Sequence, residues 1–435
     1  MDYADKLVNL RWEHLPAEVQ AQAKRCLKDI LATAAGSLRL PNSDQTAELV
    51  AAEYGDGAVP MWFKGRASRS AGAAYFNAQT IDSLDCHDGF RPNKGHCGAT
   101  AVPVTMGACF GREGDLSGAE LLTAVVIGYE IASRAGLAVH ELYAPHYHAS
   151  GTWAALGAAA GGARVLGLPP EQIDLALGMA EYYAPAAPML RCTEHPSIVK
   201  DAAGPGAWAG AMALAMASRG MPGLPSIFTA EEQGRRQIAT FGEDWMIMRQ
   251  YFKPYPTCRW TQPVVEGLKH LQAEQSFTAA DVERVDVETF DCAAGLIAFP
   301  PEHTDAAQYS LPWAAAVYLV DGELGVDQIH PDRLTDPTVI AMGRRIFTHV
   351  VEDIQERFPR EALARTIVTL RDGTAIKSPT MSARGDHTDP ICKDEMDAKA
   401  LGLTAPSLGG QKAGRLLEVV ETLEDRPAAD LLELL

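Results

Sequence analysis

Gly151-Thr152-Trp153-Ala154-Ala155-Leu156-Gly157-Ala158-Ala159-Ala160-Gly161-Gly162-Ala163-Arg164-Val165-Leu166 is a helix-length run in which only Arg164 carries a charge. A helix apolar nearly all round is buried on every side. Its glycines and alanines at 157–162 let neighbouring helices come close. The stretches 118–135 and 205–218 have the same texture, rich in Ala, Leu and Gly. Upstream, 16–36 sets Val19, Ala23, Cys26, Leu27, Ile30 and Leu31 at helical spacing. From about residue 16 to 250 the chain therefore predicts a helical bundle with sheathed central helices.

The texture changes after Lys253-Pro254-Tyr255-Pro256. Val285-Asp286-Val287-Glu288 alternates as a half-exposed strand does, and 366–370 is β-branched. Asp372-Gly373 is a hairpin signal, with Ala375-Ile376-Lys377 as the returning strand. Helices are expected over 314–319 and 337–348, and again from Asp394 onward. The reading is a mainly α protein: a large all-helical bundle domain (1–254 with 396–435) and a smaller α+β lid domain (255–395).

A chain of 435 residues has room for two such cores. The formal charge, 38 − 56 = −18, argues against nucleic acid or an anionic membrane as partner. A site for an anion must then gather its basic residues locally. Cys26, Cys86, Cys97, Cys109, Cys192, Cys258, Cys292 and Cys392 form no CxxC pair, which suits reduced thiols in a cytoplasmic protein. Met1-Asp2-Tyr3-Ala4-Asp5 has no basic, then apolar, leader pattern. The Ala-rich runs are too polar for a membrane span.

Four clusters carry chemistry. Asp82-Ser83-Leu84-Asp85-Cys86-His87-Asp88-Gly89 is followed by Arg91, Lys94 and His96-Cys97-Gly98. Aspartates of this kind can simply cap helices. A metal site is the sharper alternative, but no HExxH or other fixed ligand spacing is present, so no metal is expected. His146-Tyr147-His148-Ala149-Ser150-Gly151 sets an imidazole beside a positive helix N-terminus, where a carboxylate ligand is welcome and Ser150 can cap. Ser197-Ile198-Val199-Lys200-Asp201 leads into another apolar helix, and a lone lysine there is either solvated or an anion contact. Lys253-Pro254-Tyr255-Pro256-Thr257-Cys258-Arg259 is rigid and falls at the proposed domain boundary, where clefts form.

Taken in order, these clusters resemble the MmgE/PrpD family, over nearly the whole chain. The Asp-rich segment ending in His96-x-Gly98 is similar to its D-x-x-D…HPG region. His148-Ala149-Ser150-Gly151-Thr152 resembles its H-x-T/S-G helix start, Val199-Lys200 its lysine before the next helix, and Lys253-Pro254-Tyr255-Pro256-x-Cys258 its K-x-Y-P-x-C. Ala307-Gln308-Tyr309-Ser310 and Arg384-Gly385-Asp386 continue the series. The resemblance implies a homodimer without metal or organic cofactor, its pocket lying between the domains. It carries Asp85, His96, His148, Lys200 and Lys253 into that pocket. Cys97 replaces the proline after His96. Cys258 and Gln262 stand where the decarboxylase members have histidines, and Trp313 where a functional tyrosine is expected.

The chemistry so implied removes a proton α to a carboxylate of a small polycarboxylic acid. His96 is expected as the acid/base, oriented by Asp85, with His148 as its partner. Lys200 and Lys253 would grip substrate carboxylates, with Arg91, Lys94, Ser150, Cys258 and Arg259 contributing to binding. Expulsion of hydroxide makes a dehydratase, the favoured outcome. Return of a proton to the other face makes an epimerase. Decarboxylation is disfavoured by Cys258 and Trp313, and a non-catalytic anion binder is the rival from another class.

Overall fold

The computed structural model describes residues 3–112, 114–143 and 147–435; His146, Met1 and Asp2 lie outside them. The helix Ser150–Leu166 is the axis of the larger part. Around it pack Gly98–Gly107, Gly118–Leu142, Pro170–Tyr183 and Ala203–Ala217. Two glycines show why small residues are needed there. A Cβ on Gly157 would lie 2.3 Å from the Gly128 carbonyl oxygen, and one on Gly206 2.5 Å from the Cα of Gly151. Neither fits a close-packed interior.

Gly118–Leu142 opens on a capping box, in which Ser117 and Glu120 each accept the other's backbone N–H. Against the expectation that the Ala-rich runs are too polar for a span, this helix is long and apolar enough to cross a bilayer, but 94% of its apolar window is buried inside the protein. It is a core helix.

The first hydrophobic core runs from Tyr3 to Phe252 and resumes from Ile391 to Leu432. The C-terminal helices Lys393–Leu408 and Gly410–Glu421 return to pack on Ala17–Ser37. Lys28, almost wholly buried, ties them down through Asp397 and Glu421.

The second core lies mainly between Cys258 and Leu370. Its sheet runs Ile346–Val350, Val282–Thr289, Leu363–Leu370, Ala375–Lys377, with Met381–Ser382 also on Leu363–Leu370. The hairpin at Asp372-Gly373 forms, Gly373 taking a φ of 90° that an L-residue resists. The helix expected over 337–348 is shorter. Asp336 caps it, it ends at Gly343, and Ile346–Val350 becomes a strand parallel to Val282–Thr289. Ile346, Phe347, Thr348 and Val350 favour a pleated surface once an open strand edge is available, and that edge is a long-range fact. The fold is thus mainly α with a smaller α+β part.

Leu84, Cys86, Met189 and Cys192 come from the helical part yet belong to the second core. The loops that follow or flank them therefore lie at the seam between the two cores.

Candidate active site

The helix Ser70–Leu84 ends with Asp85 in the left-handed region, φ 54°. The chain then doubles back. Gly89–Phe90 pairs with Gln250–Tyr251, and Lys94 takes a second left-handed turn, φ 51°. The Phe90 N–H donates to the Gly95 carbonyl at 2.7 Å. Gly89 is required, because a Cβ there would run into the Tyr251 ring at 2.2 Å. Five non-glycine residues have positive φ among those described, and Asp85, Lys94, Lys200 and Ala202 are four of them. Backbone strain of this kind collects at functional sites.

The doubled-back loop points into a cavity of about 160 Å³ at the seam. Asp85, Arg91, Lys94, His96, Lys253, Cys258 and Arg259 line it, together with Asp201, Tyr251, Tyr309 and Asp386. Apolar wall is supplied by Met189, Trp260 and Phe358.

His96 is 7% exposed. Its Nδ1 meets the Asp88 backbone carbonyl, which can only accept, so Nδ1 carries the hydrogen. Its Nε2 lies 3.4 Å from Asp201 Oδ2. Burial, and then Lys253, hold its pKa below the usual histidine value, so the ring is neutral near pH 7. The carboxylate expected to orient it, Asp85, is engaged elsewhere. Asp85 Oδ1 pairs with Lys253 Nζ, and that amine also donates to the Asp85 carbonyl at 3.2 Å. Burial alone would raise the Asp85 carboxyl; Lys253 and then Lys200 outweigh it and hold it below its ordinary range. The Asp88 side chain, pushed up to about 7 by burial and Asp29, accepts from Tyr129 and anchors the loop from behind.

Positive charge faces the cavity on two further sides. Arg91, from the helical part, approaches Asp386 at 3.3 Å, and Arg259 lies 3.9 Å from the same oxygen. Arg259 is also fixed by the Ala383 and Arg384 carbonyls and stacks 4.4 Å over Tyr251. Lys94 Nζ donates to the Tyr147 hydroxyl at 3.0 Å, and among the described residues it has no carboxylate partner. Cys258 has its thiol pushed up to about 12 by burial and Asp85, so it stays protonated.

Three expected site residues do not line the cavity. Ser150 stands behind its wall, accepting the His96 backbone N–H at 2.8 Å and donating to Asp201 at 3.1 Å. Lys200 is buried behind the wall against Gln308 and 3.6 Å from Asp305. His148 lies on the outer side, where its N–H donates to His140 Nε2 at 3.1 Å and the two rings stack at 6.1 Å. Trp313 is fully buried in the second core, its indole N–H given to the Gln328 carbonyl, and the phenols in the cavity are Tyr251 and Tyr309. Gln262, also buried, donates to the Thr257 carbonyl. Asp201, Tyr251, Tyr309 and Asp386 were not singled out by sequence. Asp201, Tyr309 and Asp386 each stood inside a quoted stretch, but nothing local distinguishes a cavity carboxylate or phenol from a surface one.

Fold and cavity together define a two-part, mainly helical protein with a buried, highly charged cleft centred on an imidazole. The chain belongs to the MmgE/PrpD family: the family's N-terminal domain matches residues 2–247 and its C-terminal domain residues 255–425. Among its relatives is the cis-aconitate decarboxylase-like protein oryM of Aspergillus oryzae (strain ATCC 42149 / RIB 40). The two are 22% identical, across 99% of this chain and 95% of that protein. The cis-aconitate decarboxylase of Aspergillus terreus is 23% identical, across 85% of this chain and 81% of its own length.

Proposed function

We propose that this protein is a cofactor-independent lyase that removes a proton α to a carboxylate of a small polycarboxylic acid, most simply a dehydratase of a hydroxy acid. One observation carries the reading: a buried neutral imidazole, its Nδ1 fixed on the Asp88 carbonyl and its Nε2 turned to the cavity beside Lys253. His96 is the base. Lys253, Lys94, Arg91 and Arg259 hold the carboxylates and the charge that grows as the proton leaves. Ser150 and Lys200 act as supports from behind the wall. The substrate's negative charge is matched locally, against a chain whose net charge is −18.

The test is a panel of hydroxy di- and tricarboxylates, with cis-aconitate, followed by proton NMR in heavy water. Exchange of an α-proton and formation of an olefin are expected. An absence of exchange with every acid would favour an anion-binding protein instead, and exchange with inversion but no olefin an epimerase.

Decarboxylation is the second reading. The relatives' names favour it, and so does Tyr309, because the cavity keeps a phenol although Trp313 lies outside it. Carbon dioxide release from cis-aconitate decides the point, and we expect none of significance. No step invokes a metal, so turnover should survive exhaustive chelation; loss restored by a divalent ion would overturn that. A cytoplasmic homodimer is part of the proposal. Tyr182, Tyr183 and Val199 leave apolar surface exposed for a second copy, and light scattering tests it.

A further inference from the structure

We infer that Asp201 is the proton partner of His96, the group that delivers to the leaving oxygen the equivalent of the proton His96 removes. The inference rests on the α-proton chemistry proposed above and adds the residue that completes it.

Several observations converge. Asp201 is 5% exposed and lines the cavity on the same wall as His96. The His96 Nδ1 hydrogen is already given to Asp88, so only Nε2 is free to exchange protons. That atom lies 3.4 Å from Asp201 Oδ2. Without a proton in the gap, a nitrogen lone pair and an anionic oxygen would face each other inside the protein. The two atoms are near enough to pass one proton between them.

The placement is built rather than incidental. Ser150 Oγ accepts the His96 backbone N–H and donates to the same Asp201 oxygen, so one hydroxyl sets both partners of the pair. The Gly151 N–H donates to the Asp201 carbonyl at 2.9 Å. The residues on either side, Lys200 at φ 36° and Ala202 at φ 57°, are both strained, and Asp201 is held between them. Other polar groups nearby have tasks of their own. Lys253 is a cation paired with Asp85 and has no proton to spare as an acid, and Cys192 donates weakly to the other Asp201 oxygen at 3.8 Å. Asp82 accepts from the Ala203 N–H, outside the cavity lining.

The cycle balances. It begins when the proton handled by the pair rests on Asp201, leaving the Nε2 lone pair free. His96 takes the α-proton, the carbon–carbon double bond forms, the carbon–oxygen bond breaks, and Asp201 protonates the departing hydroxide to give water. The imidazolium and carboxylate that remain are neighbours. Transfer of one proton across the gap restores the starting state, with no net change in the protein.

The experiment uses Asp201→Asn, which keeps the shape of the side chain, and whichever hydroxy acid the wild-type protein turns over. Net turnover should fall on the order of a hundredfold, as for loss of a general acid. Exchange of the substrate α-proton with heavy water should fall far less, because His96 remains. The ratio of exchange to turnover should therefore rise at least about tenfold. A purely structural residue would lower both rates together and leave the ratio unchanged, and that result overturns the inference. So does turnover within about threefold of wild type. If the asparagine variant does not fold, Asp201→Ala assayed with added formate carries the same test. Restoration of turnover by the small acid supports the role, and no rescue in a folded variant refutes it. Wild-type protein that exchanges no α-proton sinks the α-proton reading itself; wild-type exchange with an unchanged ratio in the variant sinks only the assignment of Asp201.

Discussion

The segments around His96 and His148 look alike in sequence. Each places an imidazole two residues before a buried apolar helix, Gly98–Gly107 in one case and Ser150–Leu166 in the other. They end on different sides of the same wall. The segment before His96 is folded back by two left-handed residues and clipped to Gln250–Tyr251, which throws the ring into the seam between the cores. His148 is instead bridged to Pro188 and turned toward His140, with Tyr143 6.0 Å away. A helix start offers the same local field in both places. What separates a cavity base from an outlying histidine is the path of the preceding loop.

The largest expected effect tests the anchor of the inward loop. Lys253 and Asp85 are 1% and 3% exposed at their side chains, so Lys253→Met strands a buried carboxylate. Stability should drop by about 3–5 kcal/mol, measured by urea unfolding, and Asp85→Asn in the same chain should recover part of it. An unchanged midpoint would mean the ion pair does not hold the loop.

Next comes the comparison itself. His96→Gln should lower turnover on the order of a hundredfold or more with the circular dichroism spectrum intact. His148→Gln should stay within about threefold, since its ring lines no part of the cavity. Equal losses in the two variants would erase the distinction drawn between the two segments.

A smaller effect belongs to Lys94, which faces the cavity with Tyr147 as its neighbour. Lys94→Met should raise KM about tenfold, near 1.4 kcal/mol of carboxylate binding, while kcat changes little. A fall in kcat with KM unchanged would move Lys94 from binding to chemistry.

The subtlest expectation concerns pH. The groups around His96 are Lys253, Asp201, Asp85, His87 and Tyr251. Burial and Lys253 depress its pKa, so the neutral base survives below the ordinary histidine range. The kcat/KM profile should lose activity as pH falls, with its acid limb below pH 6.5. Removing the Lys253 charge takes away a depressing influence and should move that limb upward. A limb that stays put in the folded variant would show that burial alone sets it.

Much of the molecule was legible from one sequence because its signals are local. The apolar helix Ser150–Leu166 declares its own burial through composition, and Asp372-Gly373 declares its hairpin through turn chemistry. Asp85, His96 and Lys253 stand in clusters that residue type and nearby Gly and Pro mark out, and the family resemblance is what named them as pocket residues. The remainder depended on long-range packing. Ile346–Val350 is a strand because Val282–Thr289 offers it an edge, a fact no window around residue 346 contains. Lys200 and Asp201 are adjacent in the chain, yet one faces Gln308 behind the wall and the other lies beside His96 in the cavity lining. Periodicity and composition decide which segments are buried. Only the meeting of several distant segments at the seam between two cores decides which of their side chains share a cavity, because that proximity is a property of the packed chain and of no segment within it.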